Sequence, residues 1–204
     1  MIYYVSYFFF KLLSALFFPL TVTGRGNLPA GQGFIIASNH ISNMDPFILG
    51  IASRRRLSYV AKDSLFYNKF LRYLLYRVDA FPVKRGGADF RAMRETLRRL
   101  KKGAPIVLFP EGTRQTTGVE RKIHEGIGFI VAKAGVPVIP AYIKDSEKVL
   151  PPGGRILKRH RVTVIFGEPL HFAKHQSYSD IAHQVMERVS SLAMDAPARA
   201  NIFS

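Results

Sequence analysis

Residues 34–47 read FIIASNHISNMDPF and contain a predicted strand, a turn and the start of a helix. The apolar run FIIAS at 34–38 is typical of a buried strand. Asp45-Pro46 is typical of a helix start, with aspartate as the N-cap and proline in the first helical position, so a helix is predicted at 46–52. A buried strand that leads directly into a helix is the repeating unit of α/β proteins.

The remainder of the chain repeats this alternation. Further strands are predicted at 57–61, 80–83, 105–109, 136–143 and 161–166, and helices at 66–77, 89–102, 126–134 and 179–194. In the helix at 89–102, Phe90, Met93, Leu97 and Leu100 form one apolar stripe, which we expect to face the core. The pattern predicts an α/β fold with a largely parallel central sheet flanked by helices. Functional sites in such sheets gather at the carboxyl ends of the strands.

The composition limits the chemistry. The 204 residues include no cysteine, which excludes disulfides, thiolate metal sites and a cysteine nucleophile. We also find no G-x-S-x-G elbow and no H-E-x-x-H metal motif, so neither a serine nucleophile nor a metal site is expected. The formal net charge of +16 predicts an anionic partner. Nucleic acid, anionic lipid and a phosphorylated substrate all satisfy that charge.

The first twenty residues, MIYYVSYFFFKLLSALFFPL, are almost wholly apolar. At helical spacing Tyr3, Tyr4, Tyr7, Lys11 and Ser14 share a sector of about 100°. Placing Lys11 in the middle of a spanning helix would cost about 2.5–3.5 kcal/mol. We therefore predict a membrane-associating helical segment at 1–20 that lies in the interface, with Lys11 and the tyrosines toward the headgroups, followed by one domain at 21–204. The alternative is a helix packed on the domain.

His40 and Asp45 are candidates for a general base and its carboxylate partner. A carboxylate on one ring nitrogen orients an imidazole, whose other nitrogen can accept the proton of an attacking hydroxyl. Residues five apart on one helix lie about 140° apart, so contact requires a turn at 41–44. The alternative is that Asp45 only caps a helix. His175 and Asp180 have the same spacing, yet we predict no chemistry for them, so spacing alone is a weak signal.

Three downstream motifs strengthen the catalytic interpretation. They are FPVKR at 81–85, FPEGTR at 109–114 and VPVIP at 136–140. With SNHISNMDP, these four ordered motifs resemble those of the glycerolipid acyltransferases, and the chain is similar to the bacterial 1-acyl-glycerol-3-phosphate acyltransferases over about residues 22–170. The resemblance implies an α/β fold, membrane association and acyl transfer from acyl-CoA or acyl-carrier protein, without cofactor or metal.

The resemblance also implies residue roles. His40 would be the general base and Asp45 its partner, while the segment at 136–140 would shape the acyl site. The acceptor's glycerol phosphate would be held by Arg85, Glu111, Gly112, Thr113 and Arg114. Lys84 is expected to point elsewhere if its strand continues.

Two points of the motif interpretation stay open. Glu111 could instead pair with an arginine and hold its loop. The chain also departs from the family pattern, since His124 stands where a lysine is usual, and Lys122 could take over its role.

The most favoured function is acylation of lysophosphatidic acid to phosphatidic acid on the cytoplasmic face of the cell membrane. Another acceptor would use the same mechanism: glycerol-3-phosphate, another lysophospholipid, or a lipid amine or hydroxyl. A non-catalytic binder of anionic lipid or nucleic acid would leave the four motifs unexplained. No nucleic-acid partner is expected; if the chain only bound nucleic acid, binding would fall steeply with salt and would not respond to acyl donors.

Overall fold

A computed structural model describes residues 2–84, 89–112, 126–151, 153–154, 156–173 and 175–195. The helices are α1 (Ile2–Phe17), α2 (Asp45–Ser53), α3 (Lys69–Arg77), α4 (Phe90–Lys101), α5 (Gly126–Ala134), α6 (Ser146–Val149) and α7 (Tyr178–Ser191). The strands are β1 (Leu20–Thr23), β2 (Ile35–Ser38), β3 (Ser58–Lys62), β4 (Ala80–Val83), β5 (Ile106–Leu108), β6 (Val138–Lys144) and β7 (Val162–Phe166).

The strands form one sheet in the order β1-β7-β6-β2-β5-β3-β4. All neighbouring pairs are parallel except β6 and β7, so the prediction of a largely parallel sheet is confirmed. Strand β2 lies inside the sheet, with Ile36 opposite Val107 of β5 and Ile139 of β6. The predicted strands all form, but the sequence analysis missed β1, which pairs with β7 at the edge of the sheet.

Two apolar layers cover the two faces of the sheet. Successive side chains of a strand point to opposite faces of the sheet. Since all four residues of β2 are buried, both faces are covered at this strand. Ile36 belongs to the layer that includes α2, whereas Ile35 and Ala37 belong to the layer that includes α4, α5 and α7. Helices on both faces of the sheet are what allow all four residues of β2 to be buried.

Helices α5 and α7 approach each other so closely that only glycine fits at one contact. A Cβ atom added to Gly128 would overlap the carbonyl oxygen of Tyr178. Any larger residue at this position would push α7 away from α5.

Two helix predictions need correction. The predicted helix at 66–77 is a 3-10 turn at Asp63–Phe66, followed by α3, whose first turn is capped when the Asn68 side chain accepts from the Leu71 amide. Phe90 does not face the core: it is 71% exposed, and the fully buried positions of α4 are Ala92, Thr96 and Leu100. Asp89 caps α4, so Phe90 is the first residue of the helix. The buried positions of the helix begin only at Ala92.

Helix α1 has the opposite orientation to the one predicted for three of its residues. Tyr3 and Tyr7 line a cavity and Ser14 is buried, so these three residues face the domain, whereas Tyr4 of the same predicted sector is 67% exposed. The Tyr3 hydroxyl donates to the Arg55 carbonyl and accepts from the Leu57 amide, which accounts for its burial. Lys11 is exposed as expected. The exposed outer face of α1 is apolar and consists of Tyr4, Val5, Phe8, Phe9, Leu12 and Leu16.

Among the residues that the structure describes, no helix has the length and hydropathy needed to cross a membrane.

An ion-pair cluster joins α4 to the free edge of the sheet. Glu95 accepts from Arg98 and from Arg99 at 2.6–2.7 Å. The Arg99 guanidinium also donates to the Ser58 hydroxyl and stacks over the Phe81 ring, 4.6 Å from its centroid. One carboxylate therefore orients the arginine that holds β3 and β4 against the helix.

This cluster predicts a pH-dependent contribution to stability. Hydrogen bonding from Arg98, reinforced by Arg99, lowers the pKa of Glu95 from its ordinary 4.5 to about 2. A carboxyl whose pKa is lower in the folded state stabilises the fold above its unfolded pKa, and that contribution is lost as pH falls through the folded value. Glu95→Gln removes these ion pairs and should lower the thermal midpoint at neutral pH. The decrease should be only about 2 °C, because solvent screens the pair with the half-exposed Arg98.

The difference should shrink progressively as pH falls from 4.5 toward 2, when followed by circular dichroism. Glu187→Gln, at an exposed position of α7, serves as the matched control and should show no such trend. A Glu95→Gln deficit that is constant with pH would mean that packing, not charge, is the cause.

Candidate active site

His40 and Asp45 form a hydrogen-bonded pair at the carboxyl end of β2. His40 Nδ1 lies 2.8 Å from Asp45 Oδ2, and the Asp45 residue is fully buried while His40 is 9% exposed. The intervening turn is closed by a bond from the Asp45 amide to the Ser42 carbonyl. The predicted contact through a turn at 41–44 is confirmed. Since a carboxylate only accepts, the network assigns the hydrogen to Nδ1 and leaves Nε2 of the neutral ring as a proton acceptor.

Asp45 does not cap its own helix as predicted. It is the first residue of α2, and its carboxylate turns back into the loop. Oδ2 accepts from the amides of Ile41 and Ser42 at 2.7 and 2.8 Å, and Oδ1 accepts from the Ser146 hydroxyl at 2.6 Å. These donors satisfy the carboxylate in a fully buried position, where a free carboxylate would be costly. Asp45 is thereby held in one orientation toward His40.

The end of β5 supports the histidine from the other side. The Phe109 ring stacks on the imidazole, with centroids 4.1 Å apart and an angle of 19° between the planes. Glu111 is 3% exposed, and its Oε2 accepts from the backbone amide of His40 at 3.3 Å. Gly112 follows with a φ of 65°, a left-handed conformation that favours glycine, and its amide donates to the Phe109 carbonyl. Glu111 thus helps to hold the loop that carries His40, and its pairing with an arginine stays a prediction.

Two further side chains in the network were missed by sequence reasoning. Asn39 bridges β2 to β6 by exchanging two 2.8 Å hydrogen bonds with the backbone of Ile143. Ser146, in the short helix α6, donates to Asp45 across 101 sequence positions. Asn39 lies inside the first motif and could have been suspected. No local pattern marks Ser146, because its contact exists only once β6 is placed beside β2.

Ser146→Ala should reduce kcat on the order of tenfold and leave KM unchanged. The variant removes one hydrogen bond to a buried carboxylate, which is worth about 1.5–3 kcal/mol at most, and only the part that orients His40 appears in turnover. Steady-state kinetics with a thioester donor measures the effect.

Ser53→Ala is the matched control for this variant. Ser53 is also buried, and its hydroxyl donates to the Gly50 carbonyl away from Asp45. We expect similar losses of thermal stability in both variants but a lower kcat only for Ser146→Ala. Equal kcat values would show that Ser146 is structural and does not position the pair.

His40 lines a cavity of about 920 Å³. The walls are mostly apolar and come from helices α1 to α5 and from the ends of β3, β4 and β5. Residues that line the cavity include Tyr7, Phe10, Phe47, Ile51, Leu75, Met93 and Ile130. A large apolar cavity with a few convergent polar groups is the usual form of a small-molecule site.

Two lysines bring positive charge to the same cavity. Lys62 ends β3, and Lys84 follows β4, and both line the cavity with His40. Lys84 was expected to point elsewhere if its strand continued, but β4 ends at Val83, and that condition is not met. Asp89 accepts from the Lys84 amide at 2.9 Å, and that bond is the main cause of the lowered pKa of Asp89. The carboxylate therefore orders the backbone that presents Lys84.

Several residues predicted from the motifs lie outside the described residues. These are Arg85, Thr113, Arg114, Lys122 and His124. Their proposed contacts with phosphate stay predictions. Glu111 and Gly112 are described, and Gly112 lines the cavity.

The second histidine–aspartate pair confirms that spacing is not sufficient. In this described segment, no hydrogen bond joins His175 to Asp180, whose amide instead donates to the hydroxyl of the helix-capping Ser177. Both residues are exposed. Within the described ranges, no three His, Asp or Glu side chains cluster as a metal site would require.

The fold and the site define a class of protein. A buried histidine–aspartate pair beside a large apolar cavity suits base-assisted attack by a hydroxyl on a lipid-like acyl group. The chain belongs to the acyltransferase family: the family model described as "Acyltransferase" matches residues 19–144, more than half of the chain.

Individual relatives agree with the family. The chain is 32% identical to a 1-acyl-sn-glycerol-3-phosphate acyltransferase of Bacillus subtilis, over 85% of this chain and 81% of that protein. It is 30% identical to a chloroplastic 1-acyl-sn-glycerol-3-phosphate acyltransferase of Arabidopsis thaliana, over 78% of this chain but only 45% of that protein. The crystal structure of the 1-acyl-sn-glycerophosphate (LPA) acyltransferase PlsC from Thermotoga maritima superposes with a TM-score of 0.80 at 26% identity, covering 97% and 81% of the two chains.

Proposed function

We propose that the protein transfers an acyl chain from acyl-CoA or acyl-carrier protein to the free hydroxyl of 1-acyl-glycerol-3-phosphate, giving phosphatidic acid. The observation that carries this proposal is the buried pair of His40 and Asp45 on the wall of the large apolar cavity. The names of the relatives supply the acceptor, and the residues of the cavity supply the chemistry.

The proposed reaction needs no protein nucleophile. His40 Nε2 accepts the proton of the acceptor hydroxyl as its oxygen attacks the thioester carbonyl carbon. The tetrahedral intermediate collapses, the C–S bond breaks, and the imidazolium returns the proton to the departing thiolate. Asp45 stabilises the imidazolium between these steps and keeps the ring in its productive orientation. The products are the acylated acceptor and a free thiol, so atoms and charge balance.

The cavity accommodates the two ends of such a substrate in different ways. The apolar walls suit acyl chains, whereas Lys62 and Lys84 suit the acceptor phosphate. Arg85 and Arg114 remain proposed phosphate ligands from their motifs, with Glu111, Gly112 and Thr113 as supporting or binding residues. No cofactor is part of the proposal.

We also propose that α1 lies in the bilayer interface on the cytoplasmic face of the cell membrane, as a membrane-associating segment at 1–20 attached to the domain at 21–204. The support is the exposed outer face of α1, on which Phe8 is 69% exposed and Phe9 55%. Lys11 lies at one edge of this face, where its long side chain can reach the headgroups.

The test is thiol release. The assay combines purified protein with lysophosphatidic acid in mixed micelles and a long-chain acyl donor, either acyl-CoA or acylated carrier protein. The released thiol is followed with a chromogenic reagent. The protein contains no cysteine, so it contributes no background. Acceptor-dependent release is the expected result, and release without acceptor would indicate a thioesterase.

The acceptor is varied in the same assay, because one relative carries a different name. An N-acylphosphatidylethanolamine synthase of Arabidopsis thaliana is 29% identical over 71% of this chain and 58% of that protein. Glycerol-3-phosphate, other lysophospholipids and phosphatidylethanolamine therefore complete the panel. Faster release with any of these compounds would identify that compound, and not lysophosphatidic acid, as the preferred acceptor. Silence across the panel with both donors would overturn the acyl-transfer proposal.

A further inference from the structure

Helix α3 buries none of its nine residues, although three are aromatic and three are leucine. Phe70 is 72% exposed, Tyr76 52% and Tyr73 48%, and Tyr67 just before the helix is 77% exposed. Single exposed apolar residues are ordinary, but a contiguous set on one element indicates a binding surface. The acyl-transfer proposal does not use this helix surface.

The charges of α3 indicate the chemistry of its partner. Lys69, Arg72 and Arg77 are its charged residues, so the helix carries three cations and no anion. The Arg77 guanidinium lies over the Tyr73 ring, 4.9 Å from its centroid. Aromatic rings interleaved with lysine and arginine are characteristic of segments that lie at the surface of anionic membranes. We propose that α3 docks onto an anionic lipid bilayer as a second membrane contact, beside α1.

Helices α1 and α3 both contribute residues to the lining of the cavity. Tyr7 and Phe10 of α1 line it, and so do Leu75 of α3 and Leu65 of the preceding 3-10 turn. A bilayer that contacts both helices therefore also lies against the part of the protein where the cavity is formed. Docking by α3 would fix the rotation of the domain on the membrane, which a single helix leaves free.

A second copy of the chain is a poorer partner for this surface. A symmetric interface through α3 would bring the three cations of each copy together, and like charges across an interface are unfavourable. Anionic headgroups instead add about 1 kcal/mol per basic residue near the surface. An acidic protein is the remaining alternative, and the experiment below separates it from lipid.

Three phenylalanines with nearly equal exposure allow a matched test. Phe8 on α1 is 69% exposed, Phe70 on α3 72% and Phe90 on α4 71%. The chain contains no tryptophan, so Phe8→Trp, Phe70→Trp and Phe90→Trp each create a single reporter. Each full-length variant is mixed with vesicles of phosphatidylcholine containing about one-third phosphatidylglycerol, with and without brominated acyl chains.

We expect the emission of the reporters at Phe8 and Phe70 to shift to shorter wavelength and to be quenched by the brominated lipids. The reporter at Phe90 should stay unchanged. Phe70→Ser should weaken vesicle binding on the order of fivefold, because one aromatic side chain leaves the apolar region. Phe90→Ser should bind as tightly as the unmodified protein.

Each other outcome contradicts the proposal in a distinguishable way. A response at Phe8 alone would leave α1 as the membrane contact and overturn the role of α3 as a lipid-binding surface. A response at all three positions would mean adsorption without orientation. No binding would overturn both membrane contacts, whereas the thiol-release assay in micelles tests acyl transfer independently of them.

Discussion

His40→Ala is expected to reduce kcat/KM for acyl transfer about a thousandfold while leaving the protein folded. A positioned general base contributes typically 10²–10⁴-fold, and no other described histidine lines the cavity. Truncation leaves a void beside the Phe109 ring, and the buried Asp45 carboxylate keeps the amides of Ile41 and Ser42 and the hydroxyl of Ser146 as donors. Thiol release in mixed micelles measures the loss.

The control for this variant lies in the same chain. His175→Ala removes the histidine of the second pair with the same spacing, which is exposed and makes no bond to Asp180. It should retain full activity. Vesicle binding should be equal in both variants, because both substitutions lie outside α1 and α3. Activity of His40→Ala within about tenfold of the unmodified protein would place the base on another residue.

Asp45→Asn is expected to lower kcat by about 10²–10³ and to destabilise the fold as well. The amide lacks the charge that stabilises the imidazolium. It also offers one oxygen where the carboxylate accepts from the amides of Ile41 and Ser42 and from the hydroxyl of Ser146. Weakening charge-assisted bonds at a fully buried position should cost about 1–3 kcal/mol of unfolding free energy.

The double variant tests whether the two residues act as one unit. If Asp45 works only through His40, adding Asp45→Asn to His40→Ala should reduce activity little further, since effects of coupled residues do not add. Asp180→Asn, at an exposed position of α7, is the matched control and should change neither activity nor stability. Full additivity of the two losses would contradict the pair mechanism and assign Asp45 an independent role.

The fold class could be predicted from local patterns because each strand of an α/β sheet is a short apolar run. Strand β4 and helix α5 have the predicted bounds, and β2 differs by one residue. The missed strand β1 has partly exposed residues and lies at the edge of the sheet, so its sequence carries no strong apolar run. Phe90 was predicted to face the core, but it is exposed. Periodicity identifies the apolar face of a helix but does not show which residues of that face other elements cover.

The pair of His40 and Asp45 was predictable only because neighbouring motifs raised the weight of an ambiguous spacing. His175 and Asp180 share that spacing and remain apart. The difference lies in the surroundings: the first pair follows an interior strand, and the second follows an exposed loop. Turn geometry at 41–44 then brings the two side chains together.

The amino-acid sequence was sufficient to predict the α/β class, most of the strands and helices, the family resemblance and the residues around which the site is built. These are properties of short segments, and local periodicity and motif order encode them. The assembled fold was needed to show that Tyr3, Tyr7 and Ser14 of α1 face the domain, that Ser146 reaches Asp45 and that Lys84 lines the cavity. The physical reason is that these contacts join residues up to 101 positions apart, which meet only when the sheet has assembled.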